Sequence, residues 1–258
     1  MMLLHFQAKL ANFALIMKLF ADIGNSLMKV AVSDDRKQKM VYHGRAESTL
    51  LKACLSRYAI DGGMWCAVRN VNDSFVSLFE SFGMTRFTAS TPIPLQNYYK
   101  TPYTLGMDRL AAAIGAWSIK KESNLLVVDA GTAVTFDLVT FDGAYLGGNI
   151  APGIELRFKA LHEFTGALPL VDREGEIPLF GRNTEEAIRS GVIRGLNNEL
   201  KGYIDLLKRD YKPLFVFLTG GDADSFEIKG KSGTFVVPNL VLLGLESIFR
   251  YNEKGLPD

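Results

Sequence analysis

Apolar and polar positions follow two rhythms along this chain. Residues 17–32, MKLFADIGNSLMKVAV, and 125–139, LLVVDAGTAVTFDLV, are strand-like apolar runs, each interrupted by Asp-x-Gly. Each predicts a β-hairpin, the first turning at Ile23–Ser26. MWCAVRNV (64–71) reads as a strand, GAYLGGNIAPG (143–153) as a glycine-rich strand end, and KPLFVFLTGGDAD (212–224) as a buried strand ending in a Gly-Gly turn. Elsewhere the spacing is helical. It predicts helices over 46–59 (Leu50, Leu51, Cys54, Leu55 and Tyr58), 73–83 (closing at Gly83), 154–162 and 181–210, and a last one through NLVLLGLESIFRY. The helix over 106–121 should bury one face, formed by Leu110, Ala113, Ile114 and Trp117. Thr184, followed by Glu185 and Glu186, fits a helix start with acids at the positive dipole end. TPIPLQNYYKTPYT (91–104) carries three prolines and should be irregular.

This α/β alternation runs through twice. Asp22 and Asp129 occupy equivalent places 107 residues apart, which implies two related halves rather than a solenoid. The division is expected near Lys120 or Lys121, giving domains 17–120 and 121–258. Residues 1–16 are expected to be an extension before a natural start at Met17, where MKLFADIG opens a strand. That segment is too short and broken to span a bilayer and lacks the layout of a signal peptide.

Composition narrows the classes. With 258 residues, 48% hydrophobic and 22% charged, the chain is an ordinary globular protein. A net charge of +1 and no Lys/Arg run longer than two argue against a nucleic-acid partner. Cys54 and Cys66 suit neither a metal site nor a disulfide framework, so a reduced, cytoplasmic setting is expected. The histidines His5, His43 and His162 are isolated, and HEFTG (162–166) is not a zinc-binding H-E-x-x-H.

The two Asp-x-Gly turns carry the candidate chemistry. A glycine at a hairpin tip lets backbone approach a ligand, and successive N–H groups there suit phosphate oxygens. Ser26 and Thr132 add hydroxyl donors. Asp22 and Asp129 would repel a phosphate, and make sense if a cation lies between carboxylate and phosphate. Each could instead cap backbone amides of its own turn. Neither a Walker A motif nor G-x-G-x-x-G is present.

DIGNS (22–26), LGMDR (105–109), DAGTA (129–133), GGNIAPG (147–153), GRNTEEA (181–187) and TGG (219–221) occur in this order. Together they closely resemble the type III pantothenate kinase family, over residues 17 to about 250. The resemblance implies an α/β fold of the acetate kinase/sugar kinase/Hsp70/actin class. That fold is two-lobed and actin-like, a duplicated ribonuclease H-like unit with mixed sheets and an ATP cleft between the lobes.

The resemblance also implies roles. Asp22, Ile23, Gly24, Asn25, Ser26, Leu27, Met28 and Lys29 match the first phosphate loop, which contacts ATP. Asp22 is implied as the Mg²⁺ residue, directly or through water, and Lys29 reads as a phosphate contact or a solvated strand lysine. Gly106, Met107, Asp108 and Arg109 match the pantothenate motif, with Asp108 the general base. Asp108 opens a helix whose positive end should keep it ionised, and Arg109 would donate to a carboxylate or phosphate oxygen. Asp129 matches the ligand of a monovalent cation, K⁺ or NH₄⁺, and Thr132 an ATP contact. Tyr99 and Thr184 match substrate-contacting residues. The implied activity is ATP-dependent phosphorylation of pantothenate to 4′-phosphopantothenate by a homodimer, the first step toward coenzyme A. The alternative is a homologue altered in its catalysis that serves as a transcription accessory protein, or another phosphotransferase of the same fold.

Overall fold

The computed structural model describes residues 16–34 and 37–255, so the expected extension over 1–16 lies outside them apart from Ile16. The chain divides into two compact units, one running to Phe87 and one from Thr88.

In the first unit, β1 (Ile16–Ile23) and β2 (Met28–Ser33) form the expected hairpin, paired antiparallel with Asp22 opposite Lys29. The turn is Gly24–Leu27, one residue later than the spacing predicts, and is closed by the Gly24 N–H donating to the Leu27 carbonyl at 3.0 Å. An unpredicted third strand, β3 (Gln38–Gly44), pairs antiparallel with β2. Helix α1 (Ser48–Leu55) leads to β4 (Ala59–Ala67), which runs parallel to β1. Helix α2 (Asp73–Ser81), capped by Asn72, leads to β5 (Met84–Arg86), parallel to β4. The strand order is β3-β2-β1-β4-β5. Leu19, Ala21, Val30 and Trp65 from the sheet pack with Leu51, Leu55, Phe75 and Phe79 from the helices.

The second unit repeats that order. β7 (Asn124–Ala130) and β8 (Ala133–Val139) are the second hairpin, and β9 (Ala144–Pro152) extends it antiparallel. After α4 (Ile154–Glu163) and α5 (Thr184–Asp210) come β10 (Leu214–Thr219), β11 (Thr234–Val236) and α6 (Leu240–Glu253). The order β9-β8-β7-β10-β11 matches that of the first sheet strand for strand. One extra strand sits at the edge: β6 (Gln96–Asn97), parallel to β9. It lies in the proline-rich segment expected to be irregular. Gln96 and Tyr98, which are not prolines, keep the N–H groups that donate to Gly143 and Tyr145.

The strand β7 is covered on both faces, which is why it reads as an unbroken apolar run. Leu126, Val128 and Ala130 join a core with Ile188, Val192, Leu196 and Leu200 of α5. The other face carries α3 (Met107–Ile119), packed on α6. Here the single apolar face expected of α3 proves too narrow: everything from Arg109 to Trp117 is buried. Small residues make this possible, since a Cβ on Gly244 would lie 1.8 Å from the Ala111 carbonyl oxygen, and one on Gly115 would lie 2.4 Å from that of Leu240. Because of this packing, α3 belongs to the second unit, and the expected division near Lys120 falls inside that unit.

Candidate active site

Helix α3 begins at the LGMDR motif. Gly106 is its N-cap, Met107 its first residue and Asp108 its second. The Asp108 carboxylate folds back over the helix end, where its Oδ1 accepts the Arg109 N–H at 2.9 Å. A Cβ on residue 106 would lie 2.5 Å from that oxygen, so glycine leaves the carboxylate its seat. The helix-end N–H of Arg109 favours the ionised Asp108 carboxylate but does not act alone. Burial pushes its carboxyl up, the Arg109 N–H pulls it back, and the charge of Asp137 raises it again.

Arg109 turns inward and is only 6% exposed. Its Nε donates to Asp137 Oδ2 at 3.2 Å and its Nη2 to Asp137 Oδ1 at 2.6 Å, a bidentate pair. Tyr145 Oη donates to the same Oδ1 at 2.7 Å. The Tyr99 ring lies 5.8 Å from the guanidinium carbon, in range for a cation–π contact. Gly147, with φ at +95°, makes room for that ring, since a Cβ there would meet it at 2.9 Å. Burial alone would lower the guanidinium pKa, but Asp137 outweighs burial and holds the charge in place. Two of the donors expected to face a substrate anion are therefore committed to Asp137.

The DAGTA tip is a second constellation in this unit. Asp129 is next to last in β7, level with Thr135 of β8 and Thr219 of β10. Gly131 and Thr132 form the two-residue connection, and Gly153 backs onto it: a Cβ there would fall 2.1 Å from the Gly131 carbonyl oxygen. Gly220, after β10 with φ at +90°, passes so close that a Cβ would lie 2.5 Å from Asp129 Oδ1. The TGG turn thus gives the Asp129 carboxylate a backbone wall in place of a side chain.

In the first unit Asp22 holds the matching position, level with Lys29 and Cys66, and Cys66 Sγ lies 3.7 Å from its Oδ1. Asn25, Ser26 and Leu27 are exposed at the turn, whereas the Ile23 and Met28 side chains are in the core. A ligand contact at those last two would run through backbone. Thr184 is the exposed first residue of α5, but the cap is Asn183, whose Oδ1 accepts the Glu186 N–H at 2.9 Å while its Nδ2 donates to Glu186 Oε1 at 2.8 Å. Tyr99, Gly106, Asp108 and Arg109 are thus brought together, while Thr184 joins none of these contacts.

A family model described as type III pantothenate kinase matches residues 18–206. The chain belongs to the type III pantothenate kinase family. It is 46% identical over 241 residues to the type III pantothenate kinase of Phocaeicola vulgatus, covering 92% of this chain and 100% of the relative. It is 41% identical over 240 residues to that of Porphyromonas gingivalis strain W83, covering 91% and 98%. Among solved structures, it resembles a Baf family transcriptional activator from Campylobacter jejuni, with TM-score 0.57, 23% identity, and coverage of 92% of this chain and 99% of that one. It also resembles an activator of 2-hydroxyisocaproyl-CoA dehydratase from Clostridium difficile with bound ADPNP, with TM-score 0.52, 12% identity, and coverage of 94% and 98%. At such identities these two speak to the fold alone, an α/β fold with mixed sheets.

The roles of Asp137, Tyr145, Gly147 and Asn183 are not evident in the sequence. One signal was available. Arg109 sits in an otherwise apolar helix, and Asp137 interrupts an apolar strand, TFDLV, so each needed the other. Among the described residues no group of three or more His, Cys, Asp or Glu could hold a metal ion. Asp129 and Asp22 each offer a single carboxylate near a hairpin tip, a donor set that suits an ion sharing its shell with phosphate oxygens or carbonyls. No helix of the described residues is long and apolar enough to cross a membrane.

Proposed function

We propose that this protein transfers the γ-phosphoryl group of ATP to the 4′-hydroxyl of pantothenate, the first step toward coenzyme A. The observation that carries the reading is Asp108, present in the family motif and raised in proton affinity on the first turn of a buried helix. Asp108 accepts the hydroxyl proton as the oxygen attacks the γ-phosphorus, and the bond to the ADP oxygen breaks in line. Gly106 leaves the carboxylate its place, and Tyr99 supplies a ring wall beside Arg109. In the first unit, the backbone of the Gly24–Leu27 turn, the Ser26 hydroxyl and Lys29 are the groups given to ATP phosphate oxygens. In the second unit, the Gly131–Thr132 turn and the Thr132 hydroxyl have that role.

When bound, Mg²⁺ and a monovalent cation, K⁺ or NH₄⁺, offset phosphate charge. Asp22 would hold the first and Asp129 the second, with Gly220 leaving the room. Thr184 contributes to the substrate site. The enzyme works in the cytoplasm as a homodimer, and exposed Phe164, Leu170, Leu179 and Phe180 support the dimer.

An ADP-release assay with pantothenate, ATP and Mg²⁺, run in K⁺, NH₄⁺ and Na⁺, tests this. Pantothenate-dependent turnover, faster in K⁺ or NH₄⁺ than in Na⁺, is expected. No turnover in any cation rejects the kinase reading, and equal rates in Na⁺ and K⁺ reject the role given to Asp129.

A further inference from the structure

Asp137 is the one fully buried carboxylate among the described residues, at 1% exposure on β8. A charge in that position is costly unless it is paired. Its register places it opposite Gly148, where a Cβ would fall 1.7 Å from the Phe136 carbonyl oxygen. So β9 lies tight against β8 at this level, and the Tyr145 side chain reaches back to Asp137 across the same pair of strands.

The consequences run to Asp108. Asp137 grips Arg109 through both oxygens, and Arg109 is the neighbour whose N–H holds the Asp108 carboxylate. A bidentate grip fixes the rotation of a guanidinium as well as its distance, and so fixes the first turn of α3. The charged and titratable groups facing this turn are Arg109 on α3 itself, Asp137 on β8, Tyr145 on β9 and Tyr99 from the segment before the helix.

We infer that Asp137, held by Tyr145, is a positioning residue of this kinase: through its bidentate grip on Arg109 it orients Asp108 at the start of α3. Its negative charge also opposes the Arg109 cation beside that carboxylate. The inference rests on the kinase reading for its catalytic meaning, although the effect on Asp108 exists in the unliganded protein. Burial raises the proton affinity of Asp137 itself, and the hydrogen bonds from Arg109 and Tyr145 oppose that rise and favour its charge. Without its charge, the Arg109 cation would stand unopposed beside Asp108 and favour the weakly basic carboxylate. Without the Tyr145 hydroxyl, the Asp137 charge would lose a donor and act on Asp108 more strongly.

The test uses Asp137→Asn and Tyr145→Phe in the full chain. Carbon-13 NMR of labelled aspartate carboxyls, with the Asp108 signal assigned by its loss in Asp108→Asn, follows the titration of Asp108 without substrate. The midpoint is expected to fall in Asp137→Asn and to rise in Tyr145→Phe. The acid limb of kcat/KM should move the same way, and kcat of Asp137→Asn should drop by about 10²-fold with KM for ATP unchanged. A merely structural Asp137 would lower folded yield or rate but leave midpoint and limb in place, and that result overturns the inference. If Asp137→Asn does not fold, Tyr145→Phe decides alone, and an unmoved midpoint there overturns it. Should the wild-type protein show no pantothenate-dependent turnover, the kinase reading falls while the NMR titration still judges the coupling.

Discussion

A carboxylate that must take a proton from an alcohol has to be held still and be less acidic than usual. Asp108 meets both needs by different means. The Arg109 N–H, at 2.9 Å, holds it, and burial with the charge of Asp137 raises its proton affinity. The N–H at the helix start favours the ionised form, as an acceptor of protons needs, while burial and Asp137 raise the proton affinity of Asp108. Only the ionised form of a base works, so the rate should fall as pH drops through the Asp108 pKa. That pKa is raised, so the fall should begin at a higher pH than for an ordinary aspartate, near 3.9. Asp108→Asn keeps the shape and removes the proposed base. It should retain the wild-type melting profile and lose about 10²–10⁴-fold in kcat, together with the acid limb. A near-normal rate at pH 7 would take the role away from Asp108.

At the scale of elements, the helix pair α3–α6 fixes where the site begins. Its close approach depends on Gly115, Gly244 and Ala111 rather than on large apolar side chains. The expected stripe of Leu110, Ala113, Ile114 and Trp117 is buried, but a second helix covers what should have been the outer face. Periodicity along one helix cannot show that, because it records hydrophobicity and not the backbone of a distant segment. Gly244→Ala would drive a methyl to within 1.8 Å of the Ala111 carbonyl oxygen, so the helices must part. The expected loss is about 1–3 kcal/mol, measured by chemical denaturation, with a matching decline in activity as α3 shifts. An unchanged midpoint would show that the pair has slack. The short strands β5, β6 and β11 escaped the sequence reading for a related reason. Two or three residues carry no period, and each exists only because a neighbouring strand offers it hydrogen bonds.

For the whole molecule, the duplication read from two Asp-x-Gly turns is matched by two sheets with the same five-strand order. Asp22 and Asp129 stand at the same register position in their sheets, each opposite a residue of the following strand and of the parallel neighbour. Assembly is the next level. The exposed apolar residues Leu179 and Phe180, with Phe180 83% exposed, precede α5 and Thr184. Light scattering should give a dimer mass for the native chain, and Phe180→Asp should shift it toward the monomer. A native chain monomeric at assay concentration would refute the dimer.

Sequence alone determined the class of this protein because its signals are local. Strand runs, hairpin glycines and the order of short motifs are each written within a few consecutive residues. It also placed Asp108 on the first turn of a helix. What only the tertiary structure decided is the company that aspartate keeps. Arg109 was expected to face a ligand, but two of its donors bind Asp137, 28 residues further on, which in turn holds Tyr145. Such a choice depends on which buried charges meet when α3 packs on the β7–β8–β9 sheet. Burying either charge unpaired costs too much, so the fold had to bring them together, and no spacing along the chain records that meeting.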